Sequence, residues 1–212
     1  MARIAVLLGN GIFDSNMKNY KEYVDEFIEF ANRNKVDKAV ICGGHTDSRA
    51  KLSEASSIRN YVAPRLNKKT KLLIEEKSIT ASQSIKFTKP LLKLKKTDDV
   101  SVFCNSVVAV KVMWFIMHYW FGLTRKEIEN DALNYIALYY SKRNGVDDVG
   151  KGIAHTGVLY ENVEVHPCHI VPSIENAIAQ QLVSLVDIAA LYNPQLYNKF
   201  INATKKRYGL KK

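Results

Sequence analysis

The residues able to do chemistry fall in four short segments of the first half of the chain. Gly9-Asn10-Gly11 can bare backbone N–H groups where a ligand comes close. It is not a dinucleotide fingerprint, because Asp14 stands where G-x-G-x-x-G needs its third glycine, and no Gly-Lys-Ser/Thr follows to make a Walker loop. A tight strand-to-helix turn explains it as well as a ligand does. Ile41-Cys42-Gly43-Gly44-His45-Thr46-Asp47 is richer. Its glycines turn the chain sharply and expose amides, His45 is a candidate general base, and Asp47 can orient a ribose hydroxyl or a cation. The plain alternative is a glycine-rich turn with a solvated His and Asp. Glu54 stands one residue into the next helix, where it either complements the helix dipole or points into a pocket. With His45 it is the first candidate for acid–base work. In Glu75-Glu76-Lys77-Ser78-Ile79-Thr80 a carboxylate sits at a strand tip, and Ser78 and Thr80 either cap the next helix or join its amides in holding an anion. Asn105-Ser106 repeats that arrangement. Lys111, about one turn further on, interrupts an apolar helix face and either snorkels to solvent or meets a phosphate.

The elements that must position these segments follow from hydrophobic periodicity. Arg3 to Leu8, Lys38 to Cys42, Lys71 to Ile74 and Val100 to Cys104 are short apolar runs of the kind buried on both faces of a sheet. Between them lie helical patterns. Met17 to Asn34 carries Tyr20, Val24, Phe27, Ile28 and Ala31 on one stripe. A second helix capped near Ser53 carries Ile58, Val62 and Leu66. A third opens at Ser78 to Ser84 and meets Pro90, which predicts a kink or a break. Val107 to Phe121 is the most apolar. Four cycles of strand, turn and helix predict an α/β, Rossmann-like three-layer sandwich with a mostly parallel sheet of about five strands. Right-handed crossovers bring the four chemical segments to one edge, the C-terminal ends of the strands, where ligands bind near the point of strand-order reversal.

The second half completes the fold. Thr124-Arg125-Lys126-Glu127 is a capping box for a helix carrying Ile128, Tyr135, Ile136 and Tyr139 and ending near Gly145. Asp147 to Asn162 is irregular and polar, suited to a lid, a crossing to an edge strand or a dimer contact. Val163 to Val171 reads as a fifth strand. A long helix from Ser173 to about Tyr192 follows, then a last one after Asn193-Pro194. These apolar helices pack either on the sheet or on a second copy of the chain. The organisation is therefore a single α/β domain over 1–212, with 1–121 as core and 122–212 as helical and edge-strand completion. His166-Pro167-Cys168-His169, with His155, invites a zinc reading, but the spacing matches no pair-plus-pair site, and in a strand His169 points away from His166 and Cys168.

Composition narrows the classes. The chain has 212 residues, 47% hydrophobic and 25% charged, which suits one well-packed globular domain and excludes a disordered or collagen-like chain. Three cysteines are too few and too apolar in context for a disulfide framework. The first apolar run is too short for a signal peptide, and Val107 to Leu123, broken by Lys111 and His118, falls short of the ~20 residues that span a bilayer. The expected location is the cytoplasm. The net charge of +10 comes from 31 Lys+Arg against 21 Asp+Glu. Arg65, Lys68, Lys69 and Lys71 form one basic cluster, Lys93-Leu94-Lys95-Lys96 a second, and Lys205, Lys206, Arg207, Lys211 and Lys212 a tail. The first two belong at the end of the sheet opposite the pocket. Solvated faces account for them, and so does nonspecific nucleic-acid contact, although no helix-turn-helix, RNA-recognition or zinc-finger pattern is present.

The order of segments resembles the YdcF, SanA and ElyC family of domains of unknown function. The matching pieces are Leu8-Gly9, Cys42-Gly43-Gly44, Ser53-Glu54-Ala55, Glu75-Glu76-Lys77-Ser78, Thr80-Ala81-Ser82-Gln83, Asn105-Ser106 and Lys111, over roughly residues 3 to 120. The chain departs from the family pattern by one residue fewer between Ser78 and Thr80, by Ser82-Gln83 in place of Glu-Asn, and by Val108 and Ala109 where the family has His. The resemblance implies the fold and the pocket edge, and points to S-adenosylmethionine and to envelope or lipid-carrier metabolism. The expectation is a protein that binds a nucleotide-like or phosphorylated small molecule through Gly9, Asn10, Gly11, Gly43, Gly44, Asp47, Glu75, Ser78, Thr80, Asn105, Ser106 and Lys111, with S-adenosylmethionine or a divalent cation as candidate cofactor. If it is an enzyme, Glu54 and His45 serve transfer or hydrolysis at a phosphate or activated methyl group. The alternatives are a non-catalytic ligand sensor and a basic nucleic-acid-associated protein.

Overall fold

The structure is a computed structural model, and it describes residues 1–95, 97–130, 162–168, 170 and 174–210. The strands β1 (Arg3–Leu8), β2 (Lys38–Cys42), β3 (Lys71–Glu75), β4 (Asp99–Asn105) and β5 (Val163–Cys168) form one sheet in the order β3-β2-β1-β4-β5. Every pairing is parallel, with Ile4 opposite both Lys38 and Val100, and Val102 opposite Val165. This is the Rossmann-like α/β arrangement that the strand–helix cycles predict.

Strand alternation divides the core into two layers. Ile4, Val6 and Leu8 face one side with Val40, Val100 and Val102, under α3 (Ala81–Leu92) and α4 (Ala109–Tyr119). Ala5 and Leu7 face the other with Ala39, Ile41 and Phe103, under α1 (Lys18–Arg33) and α2 (Glu54–Val62). Apolar residues at both parities are what a strand covered on both faces requires. Phe103 meets Phe27 edge-on at 5.5 Å and stacks on His166 at 4.5 Å, joining α1, β4 and β5. The second half adds α5 (Ile174–Leu191), whose Ile188 and Leu191 extend the α4 layer, and α6 (Pro194–Arg207), which packs along α5.

Most helix starts are capped as the sequence predicts. Ser53 accepts from the Ser56 N–H, Thr80 from Gln83, Asn193 from Gln195 and Leu196, and Thr124 and Glu127 form a reciprocal box. α3 carries through Pro90 and stops two residues later, where Lys93 turns left-handed. A proline so near the end removes a single hydrogen bond from the last turn, so the helix does not break there. The expected helix beyond Asn130, the polar stretch after Asp147, and His155 and His169 lie outside the described residues. No described helix is long and apolar enough to cross a membrane.

Candidate functional site

The strand order reverses between β1 and β4, so the C-terminal ends of these two strands mark the switch point. Tyr23 of α1 forms its floor. Its hydroxyl lies 2.8 Å from the carbonyl oxygens of Leu8 and Phe103, at the ends of both strands. Above it the Asn105 side-chain amide donates to Asn10 Oδ1 at 3.3 Å, bridging the two loops. Tyr20 staples the glycine turn: its hydroxyl accepts from the Asn10 N–H and donates to the Gly11 carbonyl, each at 2.9 Å. Burial holds the phenols of Tyr20 and Tyr23 well above their ordinary pKa, so both remain neutral donors.

Glu54 occupies the seam between the β1 and β2 loops. It is 7% exposed, and burial raises its pKa despite hydrogen bonds from the Thr46 hydroxyl and the Gly11 amide. The glycines explain how it fits. A Cβ on Gly9 would stand 2.5 Å from Glu54 Oε2, and one on Gly43 would stand 2.6 Å from Glu54 Cβ. A Cβ on Gly44 would collide with the backbone of Glu76 and Ser78. These three glycines thus admit a buried carboxyl and a close chain crossing. Gly11 differs: at φ +96° a side chain there would be strained, yet none of the described residues lies within 4 Å of its Cβ position. Of the sequence-predicted glycines it is the one with open space at the mouth.

The remaining predicted residues divide clearly. Glu75 is 4% exposed; its Oε1 accepts from the Lys77 and Ser78 N–H groups, while Oε2 has no hydrogen-bond partner among the described residues. Ser78 is 1% exposed and accepts from the Ser84 hydroxyl, and Thr80 caps α3. Their hydroxyls work inside the fold. The amides that open α2 bond the Gly43 and Gly44 carbonyls and Ser53 Oγ, which leaves no ready anion cradle on them. His45 is exposed and lies near Glu76, whose carboxyl is held below its ordinary pKa by the Ser53 and Ser56 hydroxyls and by its charged neighbours. Asp47 binds Arg49 through both carboxylate oxygens on an exposed turn, and this pairing lowers its pKa. Asn105 is buried and half-exposed Ser106 follows it at the switch point. Lys111 neither reaches solvent nor is left free for a phosphate. It pairs at 3.4 Å with Asp187 of α5, both side chains being buried.

Four contributors escaped sequence reasoning. Tyr20 reads as a core position on the α1 stripe, Tyr23 is not among the stripe residues, and Thr46 has no role of its own within the Ile41–Asp47 segment. Tyr208, just past α6, is half-buried near Glu54, and burial followed by the Glu54 charge raises its pKa. Gly209 approaches Ser48 of the β2–α2 loop, and Tyr197 of α6 accepts from the Gln83 amide at 3.3 Å. The end of the chain therefore borders the site, which no spacing in the first half signals. His166 lies against Phe103 and Phe30, and no group of three or more metal-ligating side chains occurs among the described residues. A cleft of about 300 Å³ opens at the opposite end of the sheet, beside Arg3, Phe30, Asn34, Ser101 and Glu164, but it holds no buried ionisable group. No family model, no curated protein and no solved structure matches this chain.

Proposed function

We propose that the switch-point edge binds a nucleotide-like or phosphorylated small molecule, with Gly11, Asn10 and Asn105 facing it and Glu54 as the proton-transfer group. The observation that carries this reading is Glu54, a buried carboxyl with a raised pKa beside the open Gly11 turn. Perturbed carboxyls in such places are candidate general acids and bases. As an enzyme, the chain would catalyse transfer or hydrolysis at a phosphate or an activated methyl group, Glu54 taking the proton of the attacking hydroxyl or water. Glu75, with one oxygen unpartnered, suits an amino group or a divalent cation. The YdcF-like resemblance supports S-adenosylmethionine as one candidate ligand.

A sensor without chemistry is the second reading. It is favoured by the use of the Ser78 and Thr80 hydroxyls within the fold. Thermal unfolding with ATP, AMP, S-adenosylmethionine or a polyprenyl phosphate, with and without magnesium, tests both. A ligand present at 100 times its Kd should raise Tm by about 5–10 °C in a chain of this size. Asn105→Ala should reduce the rise. Glu54→Gln should abolish product formation if the chain is an enzyme, while a rise without product marks the sensor. No rise with any of the four overturns the ligand class.

A further inference from the structure

The two basic clusters of the first half, separated in sequence, meet at the N-terminal end of the sheet. Lys71 opens β3 beside Lys38 of β2, and Lys38 Nζ donates to the Leu92 carbonyl at 2.6 Å, which brings the α3–β4 turn alongside. The α1–β2 and α2–β3 turns are tied together as well. The Asn32 side chain bonds the Arg65 carbonyl and the Asn67 N–H, and Thr70 Oγ1 donates to the Val36 carbonyl. Lys35, Lys68, Lys69, Lys71, Lys93 and Lys95 all stand exposed on this braced edge. None of the six makes an ion pair among the described residues. Of the acids at this end, Asp37 accepts from the Arg3 N–H and Asp98 from the N–H groups of Ala2 and Lys95, with the Lys95 charge close by, while Asp99 and Glu164 border the cleft on the β4–β5 side.

Two further facts separate this edge from an ordinary solvated surface. Among the described residues only Lys35 and Lys93 adopt positive φ without being glycine, each at 50° and each at this edge. Glycine or asparagine fits that conformation at lower cost, so lysine stands there against the local preference. The dipoles of α1 and α3 favour a cation at these two positions, whereas Lys68, Lys69 and Lys71 lie three or more residues beyond the last helical turn, which ends at Arg65. Exposed cations concentrated on one edge repel one another and attract an extended anion.

We infer that this edge docks double-stranded nucleic acid through its phosphate backbone, independently of the small-molecule site at the other end of the sheet. A duplex presents phosphates at fixed spacing, which suits cations fixed on hydrogen-bonded turns. Single-stranded chains bind by stacking bases on aromatic rings. Of the described rings near this edge, Phe30 is half-buried against Phe103 and His166, and Tyr61 is covered by the Arg65 guanidinium at 3.8 Å. Of the large exposed apolar side chains among the described residues, only Met1 borders the edge, so they offer little to insert into a lipid surface.

The test is fluorescence anisotropy of the full chain with a labelled duplex of about 20 base pairs, titrated from about 50 to about 200 mM salt. Engagement of four or more phosphates predicts a fall in affinity of about 100-fold over that range. Lys68→Glu/Lys69→Glu/Lys93→Glu should weaken binding at least tenfold and flatten the salt dependence, while Lys205→Glu/Lys206→Glu leaves both unchanged. All five sites are solvent-facing or half-exposed, and circular dichroism checks that each variant is folded. Three outcomes overturn the inference: no binding at the lower salt, equal loss in the tail variant, or binding to phosphatidylserine vesicles in place of the duplex.

Discussion

Glu54 shows how a single side chain organises its surroundings. Gly9 and Gly43 lack side chains because this carboxyl fills the space, and Thr46 and Gly11 supply its hydrogen bonds. Its raised pKa has a signed consequence for stability. Below the unfolded-state value of 4.5 the carboxyl is protonated in both states and costs nothing. As pH rises past that value the unfolded chain ionises first, so folding loses stability until the folded carboxyl ionises too. Glu54→Gln removes this loss and keeps an acceptor for Thr46. Its melting temperature should therefore match or exceed that of the wild type at pH 7, with the advantage shrinking as pH falls towards 4.5. A variant less stable at every pH would mean that the ionised carboxyl is a structural acceptor. Sequence reasoning reached this residue and left two readings open, dipole partner or pocket group. It stands buried in the first turn of α2 beside the glycine turns, a position that suits both. The glycines beside it were legible as close-approach positions, but what approaches them is Glu54. Composition cannot distinguish a side chain from a ligand at such a turn.

At the scale of elements, the parallel sheet and most helix caps could be read from the sequence because each rests on local chemistry. Apolar strands ending in Gly or Asn, and Ser53, Thr80 and Asn193 at helix starts, bear their own signals. Contacts made across the chain carry none. Lys111 is the clearest case: its partner, Asp187, comes 76 residues later. The pair fixes α5 against the start of α4, and burial raises the pKa of Asp187 against the pull of Lys111. Removing one member of such a pair leaves an uncompensated buried charge, at a cost of about 3–5 kcal/mol. Replacing both with apolar residues of similar volume is far less costly. Asp187→Leu alone should lower stability by that amount in urea unfolding, and Lys111→Met with Asp187→Leu should restore most of it. If the double variant is as unstable as the single one, the pair contributes more than mutual neutralisation. The same element brings α6 and Tyr208 to the rim of the site, so damage to the clamp should also weaken any ligand-induced stabilisation.

Over the whole molecule, the two proposed sites lie at opposite ends of the strands. Glu54, Glu75 and Glu76 gather at the C-terminal end of the sheet, and the exposed lysines of the proposed duplex face lie at the other. A parallel sheet produces this separation directly, since every strand-to-helix turn lies at one end and every return at the other. Each end can therefore acquire a partner without disturbing the opposite one. Screening reinforces the separation, because at physiological ionic strength exposed charges interact little beyond about 8 Å. Two functions built this way should be thermodynamically uncoupled, with no effect of one ligand on the affinity of the other. A thermal-shift ligand from the small-molecule site should leave duplex affinity within about twofold, below the coupling typical of allosteric pairs. Conversely, Lys68→Glu/Lys69→Glu/Lys93→Glu should retain the full ligand-induced rise in Tm, and Glu54→Gln should retain full duplex binding. Loss of duplex binding in Glu54→Gln, or displacement of duplex by the small molecule, would place both ligands on one surface and overturn the two-ended arrangement.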